Sequence, residues 1–227
     1  MTQFIDNLKR FNRKERFYIV GWALGNETFA ISSQFRKYLS DLFDGLDIPE
    51  NPFAAMDFHL DWIYASAFLS SSESTKSPTV NGVKIHTIMK DYITATQEDV
   101  DFLIAFPDSA LPSLSHLIMI ETKGDTSFTN EQLASKADRL RAIFGDNGAR
   151  WKDIVVPHFA ITSPKQPTAR LKTAGLPTFM LKDDKLPWFP LLSWQQQQGL
   201  QKITRCDSSA KDSDNGPFWK VEGIICI

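Results

Sequence analysis

Cysteine is scarce in this chain of 227 residues: only Cys206 and Cys226 occur. Two scattered thiols exclude a disulfide framework and a cysteine-rich zinc site, and both are read as ordinary, partly buried side chains. No apolar run approaches the ~20 residues a membrane-crossing helix requires. The opening MTQFIDNLKRFNRKER lacks the apolar centre of a secretory signal, so the expectation is a cytoplasmic protein without membrane association. Neither sign of charge dominates, with 25 basic against 27 acidic residues and a net of −2, so any phosphate-backbone binding has to come from local clusters. A Walker-type glycine loop, a nucleophile elbow and a metal-binding His pair are also missing, which removes the main competing enzyme classes.

What is present is apolar and aromatic. Hydrophobic residues make up 42% of the chain, with 17 Phe and 6 Trp, enough for a substantial core. Residues 3–24 carry apolar positions at helical intervals, and the spacing predicts a helix broken near Asn12 and stopped at Gly25. A second helix is expected from a cap at Ser32 or Ser33 to Gly45, and a third over residues 53–69. Residues 70–78 read as a Ser/Thr-rich linker. After the Asn81-Gly82 turn, residues 83–88 alternate like a strand. Two apolar strands follow, over residues 100–106 and 116–121, as a hairpin. Then come a helix over 129–144 ending at Gly145 and a strand over 153–162. Beyond Pro164 the chain is rich in Pro, Trp and Gln, with a short Gln195 to Gln198 run, a polar tract over 207–214 and a strand-like end over 218–227.

The chemistry concentrates where Leu117-Ile118-Met119-Ile120 ends abruptly in Glu121-Thr122-Lys123-Gly124. A strand has a side-chain period of two, so Glu121 and Lys123 share a face at its end. A hard oxygen ligand beside an ammonium group is the pairing that metal-assisted phosphodiester cleavage needs. In an antiparallel hairpin the start of one strand lies beside the end of its partner, which makes Asp101 the neighbour of Glu121. Asp99 is the reserve. Asp108 follows Pro107 and belongs to the turn at the opposite end.

This spaced set, Asp101 opening one apolar strand, Glu121-Thr122-Lys123 closing the next and Gln132 in the following helix, resembles the PD-(D/E)xK nuclease superfamily over residues 53 to 162. The resemblance implies an α/β, restriction-endonuclease-like fold: an αβββαβ core with a mixed central sheet flanked by helices. An N-terminal helical region (1–52) would precede the core (53–165), and a C-terminal extension (166–227) would pack on it. It also implies a Mg²⁺-dependent nuclease, with Mn²⁺ as substitute, acting in restriction, phage defence or DNA repair. Asp101 and Glu121 would hold the metal with the Thr122 carbonyl, Lys123 would orient water or stabilise the transition state, and Gln132 would touch the active site. Many members add an acidic residue from the helix before the first core strand. Asp57 and Asp61, four apart, are the candidates on one helix face, with Asp61 favoured; Glu15 and Glu27 are remoter ones. A homodimer is implied for duplex cleavage.

Other residues have two readings. Lys9, Arg10, Arg13, Lys14 and Arg16 form one basic cluster; Lys136, Arg139, Arg141, Arg150 and Lys152 form another. Each is either a phosphate-binding surface or a solvated face. Lys136 alone is expected to be solvated. His158 is read as a lone structural histidine. Trp188, Phe189, Trp194, Phe218 and Trp219 are read as core, with base stacking as the alternative. Against the nuclease stands a second class of function, a catalytically silent module of the same fold that binds a partner protein, which the near-neutral charge favours.

Overall fold

The computed structural model describes residues 1–87, 92–93, 98–124, 127–167, 171–192, 199 and 201–223. Ile88, Trp194, the Gln195 to Gln198 run, Cys226 and the end of the last expected strand lie outside the described residues.

Three helices come first: α1 (Gln3–Phe11), α2 (Glu15–Leu24) and α3 (Ser33–Leu42). The break falls at Asn12, which caps α1 and leaves the helical region of backbone space. Thr2 and Ser32 supply side-chain oxygens to the Ile5 and Phe35 N–H groups, answering two of the donors a helix start leaves open. Strand β1 (Phe53–His59) leads directly into α4 (Leu60–Ser70). After a 3-10 turn come β2 (Thr79–Val80) and β3 (Val83–Lys84), an exposed two-stranded hairpin. Then follow β4 (Asp99–Pro107), β5 (Ser115–Thr122), α5 (Asn130–Phe144), β6 (Val155–Ser163), β7 (Trp188–Pro190) and a terminal hairpin, β8 (Gln201–Cys206) with β9 (Phe218–Gly223).

The central sheet has the order β1-β4-β5-β6-β7. β1, β4 and β5 run antiparallel in turn, whereas β5, β6 and β7 are parallel. The protein is therefore α/β with a five-stranded mixed sheet, and helices cover both faces. On one face α1, α4 and α5 bury Phe4, Leu8, Ile63 and Leu140 against Leu103, Leu117 and Met119. On the other, Leu39 of α3 packs on Ile104, Ile118 and Ile120. The unbroken apolar run of β5 follows from this: a strand buried on both sides needs no polar alternation.

Two expectations are corrected. Residues 53–69 are not one helix, because residues 53–59 form a strand that pairs with β4 from Phe53↔Ala105 to His59↔Asp99, interrupted only at Asp57. The ladder supplies backbone hydrogen bonds along a buried strand, and that outweighs the mild helical preference of Ala-Ala-Met. Nor do residues 83–87 form a core strand: the third strand of the antiparallel set is β1, and β3 holds only Val83 and Lys84.

Because β1 carries the fully buried Phe58, whose ring meets Phe53 and Trp62 edge-on, Phe58→Ala is expected to lower stability by about 3–5 kcal/mol. Urea unfolding followed by circular dichroism measures this, and a loss under about 1 kcal/mol would contradict a buried strand here.

Candidate active site

The β4–β5 ladder closes with Phe102↔Ile120, so the next step along each strand sets Asp101 opposite Glu121. Here a side chain takes over from the backbone: Asp101 Oδ2 accepts a 2.6 Å hydrogen bond from the Thr122 N–H. On the other flank the β1–β4 pairing skips Asp57, which stands opposite Asp101 with φ of 48°. A non-glycine residue with positive φ inside a strand is strained. The sheet thus stops its regular pairing on both sides of Asp101. Beside it opens a cleft of about 350 Å³, lined by Glu98, Asp99, Asp101, Glu121, Lys123, Phe128, Gln132, Leu133, Ser135 and Lys136.

Glu121 is the least ordinary group there. Alternation along β5 turns it to the face of Leu117 and Met119, under α5. Burial pushes its carboxyl up to about 7; Lys136 and Lys123 oppose that rise and Asp101 adds to it. Lys136 Nζ approaches Oε1 at 2.9 Å and also donates to the Asp99 carbonyl. Oε1 itself is buried and receives no aligned hydrogen bond, so the contact with Lys136 is that of an ion pair. Lys136 is a buried counter-ion rather than the solvated lysine expected from its helix position, because α5 lies directly over the strand end.

Gln132 stands in the first turn of α5, its N–H bound by the capping Thr129 hydroxyl at 3.2 Å, and it lines the cleft with Lys123. Asp99 also lines it and is held at 3.0 Å by Lys14, from the link between α1 and α2. Asp57 and Asp61 do not share a helix face, since one lies in β1 and the other in α4. Asp57 pairs with Arg16 at 3.1 Å, and Asp61 with Arg139 at 2.7 Å; neither lines the cleft, nor do Glu15 and Glu27. Glu98 is the acidic lining residue that sequence reasoning passed over. Its signal was the dense acidic stretch Glu98-Asp99-Val100-Asp101.

The remaining candidates lie elsewhere. Of the second basic cluster, Lys136, Arg139 and Arg141 pair with carboxylates, and the Arg150 guanidinium lies over the Tyr92 ring. Trp188 is half-buried with its indole N–H on Ser163, Phe189 is buried, and Phe218 and Trp219 are exposed on β9. His158 is not a lone histidine. At the far end of the β4–β5 hairpin its Nε2 lies 3.0 Å from His116 Nδ1, and His116 Nε2 lies 2.8 Å from Asp108. Asp108 also accepts from the Ala110 and Leu111 N–H groups, closing the turn.

No family model, no curated protein and no solved structure matches this chain.

Among the described residues no group of three or more His, Cys, Asp or Glu side chains is arranged to hold a metal ion. The fit to a metal is therefore a fit to two carboxylates, Asp101 and Glu121, one of them with a buried oxygen that lacks a hydrogen bond. Such a donor set suits Mg²⁺ or Mn²⁺, which bind through one or two carboxylates and complete their shells with water and substrate oxygens.

The raised Glu121 carboxyl also has a signed consequence for stability. An acid whose folded pKa lies above its unfolded value favours the folded state while protonated, and that contribution is lost as pH rises from about 4.5 through about 7. The unfolding free energy from urea titrations in EDTA should therefore fall between pH 5 and 8, by an amount of order 3 kcal/mol, with Glu121→Gln flattening this slope. An unchanged slope in Glu121→Gln would count against the buried carboxyl.

Proposed function

We propose that the protein is a metal-dependent nuclease that hydrolyses phosphodiester bonds, with DNA as the substrate and a role in restriction, phage defence or repair. One observation carries the reading: Asp101 and Glu121 face each other at the end of a buried strand pair, with Lys123 and Gln132 lining the same cleft.

Asp101 and Glu121, with the Thr122 carbonyl, would hold the cation. When bound, a divalent ion lowers the pKa of a coordinated water and neutralises charge on the phosphate. The Thr122 N–H fixes the Asp101 carboxylate, so that its orientation does not depend on the substrate. Lys123 orients the attacking water or stabilises the negative charge that develops on the phosphate oxygens, an effect strengthened by the partial burial of the site. Gln132 hydrogen-bonds the phosphate through its side-chain amide. Lys136, now the counter-ion of Glu121, would stand beside a bound cation as a second positive group. Cutting both strands of a duplex needs two such sites, which a homodimer or a partner protein supplies.

The second reading is a catalytically silent partner-binding module. The Lys136 ion pair favours it, since Glu121 already has a counter-ion.

Cleavage of supercoiled plasmid and of single-stranded DNA, with Mg²⁺, Mn²⁺ or EDTA, separates the two. Metal-dependent cleavage is expected in the wild type, with a loss on the order of 10²-fold or more in Asp101→Ala and Lys123→Ala. No cleavage by a folded wild type, or equal cleavage by the variants, would sink the nuclease.

A further inference from the structure

Four carboxylates line the cleft, those of Glu98, Asp99, Asp101 and Glu121, and three of them are met by a cation. Glu98 lies 3.6 Å from Arg139, Asp99 3.0 Å from Lys14 and Glu121 2.9 Å from Lys136, while Asp101 takes the Thr122 N–H. The Lys136 pair is the deepest of the three, its lysine and glutamate side chains being only 11% and 13% exposed.

Its surroundings also set it apart. The ammonium sits between two oxygens from neighbouring strands, Oε1 of Glu121 on β5 and the carbonyl of Asp99 on β4. Oxygen donors converging from separate elements on one positive charge are the surroundings of a bound hard cation. Oε1 receives no aligned hydrogen bond, so what holds the ammonium there is the attraction of opposite charges, which any other cation reaching that oxygen would share. A pair serving the core alone would have no reason to border open space. Lys136 instead lines the cleft together with Gln132, four residues earlier on the same side of α5.

We propose that Lys136 is a built-in competitor for the cation at Glu121, and that it sets the divalent-cation affinity of the cleft low. In the metal-free protein its ammonium balances the Glu121 charge. Cation binding at Asp101 and Glu121 then either competes with this ammonium or takes place beside it, and in both cases like charges a few ångströms apart reduce the affinity. The proposal rests on the nuclease reading for the cation itself and adds a control on how readily the site is loaded.

Mn²⁺ binding to the full chain, followed through the electron paramagnetic resonance signal of the free ion at pH 8 under nitrogen, tests this without recourse to cleavage. Lys136→Met keeps the apolar stem and removes the charge; Lys136→Gln also removes the charge but can still donate hydrogen bonds, which protects the fold. Each is expected to bind Mn²⁺ about tenfold more tightly than wild type. In a Glu121→Gln background the same substitutions bring no gain, because the contested oxygen is no longer charged. Melting curves by circular dichroism report folding: the Lys136 variants should melt below wild type in EDTA, where a buried carboxylate has lost its partner, and gain more than wild type from Mn²⁺. Equal or weaker Mn²⁺ binding by the folded variants, when wild type binds, overturns the proposal and leaves the cation reading intact. A gain that persists in the Glu121→Gln background also overturns it. Absence of Mn²⁺ binding by wild type and by the folded variants rejects the cation reading, and the competitor with it.

Discussion

The structure around the cleft depends on keeping one carboxylate, that of Glu121, in a largely dry place. Taking a carboxylate out of water is costly unless charge and hydrogen bonds replace the solvent. Here the replacement is the Lys136 ammonium, carried by α5 and anchored also to the Asp99 carbonyl. That single contact joins three elements: the end of β5, the start of β4 and the second turn of α5. It explains why α5 lies over the strand ends and why the Leu133 to Phe144 side of the helix meets the sheet where it does.

The balance is incomplete, and the incompleteness is informative. Lys136 lowers the Glu121 pKa, yet burial outweighs it and leaves the group near 7. A carboxylate that lacks an aligned hydrogen bond stands opposite a second one, Asp101, held rigidly by a backbone N–H. Proteins place such local tension at sites with a task more often than in plain core. The strained Asp57, in the next strand, lies in the same row and adds to it.

The two ends of the β4–β5 hairpin divide the polar work. At one end, acids and lysines line an open cleft. At the other, Asp108, His116 and His158 form a closed chain beneath a turn, with the His116 ring stacked on Phe106. Burial holds His158 down at about 4, so it stays neutral, and the cluster behaves as a structural lock on the hairpin. The antiparallel register keeps these groups apart from the cleft, which is why the Pro107-Asp108 pair is not a partner of Glu121 despite its spacing.

Much of this was legible from residue patterns, because the signals were local. The stop at Asn12, a helix start capped at Ser32 or Ser33, and the apolar runs of β4, β5 and β6 all follow from side chains acting on their own backbone or from burial on both faces. The face shared by Glu121 and Lys123 and the nearness of Asp101 follow from strand period and hairpin geometry. What only the tertiary structure decided are the contacts between elements far apart in sequence. Residues 53–59 become a strand because β4 offers a ladder. Lys136 is buried because a strand end lies beneath it, and Asp61 is withdrawn into an ion pair by Arg139, seventy-eight residues away. The sequence by itself determined which residues could do chemistry and the local elements that bear them. The long-range packing determined which of those charges are spent on one another and which are left facing the cleft, since burial and pairing energies depend on neighbours that no local pattern specifies.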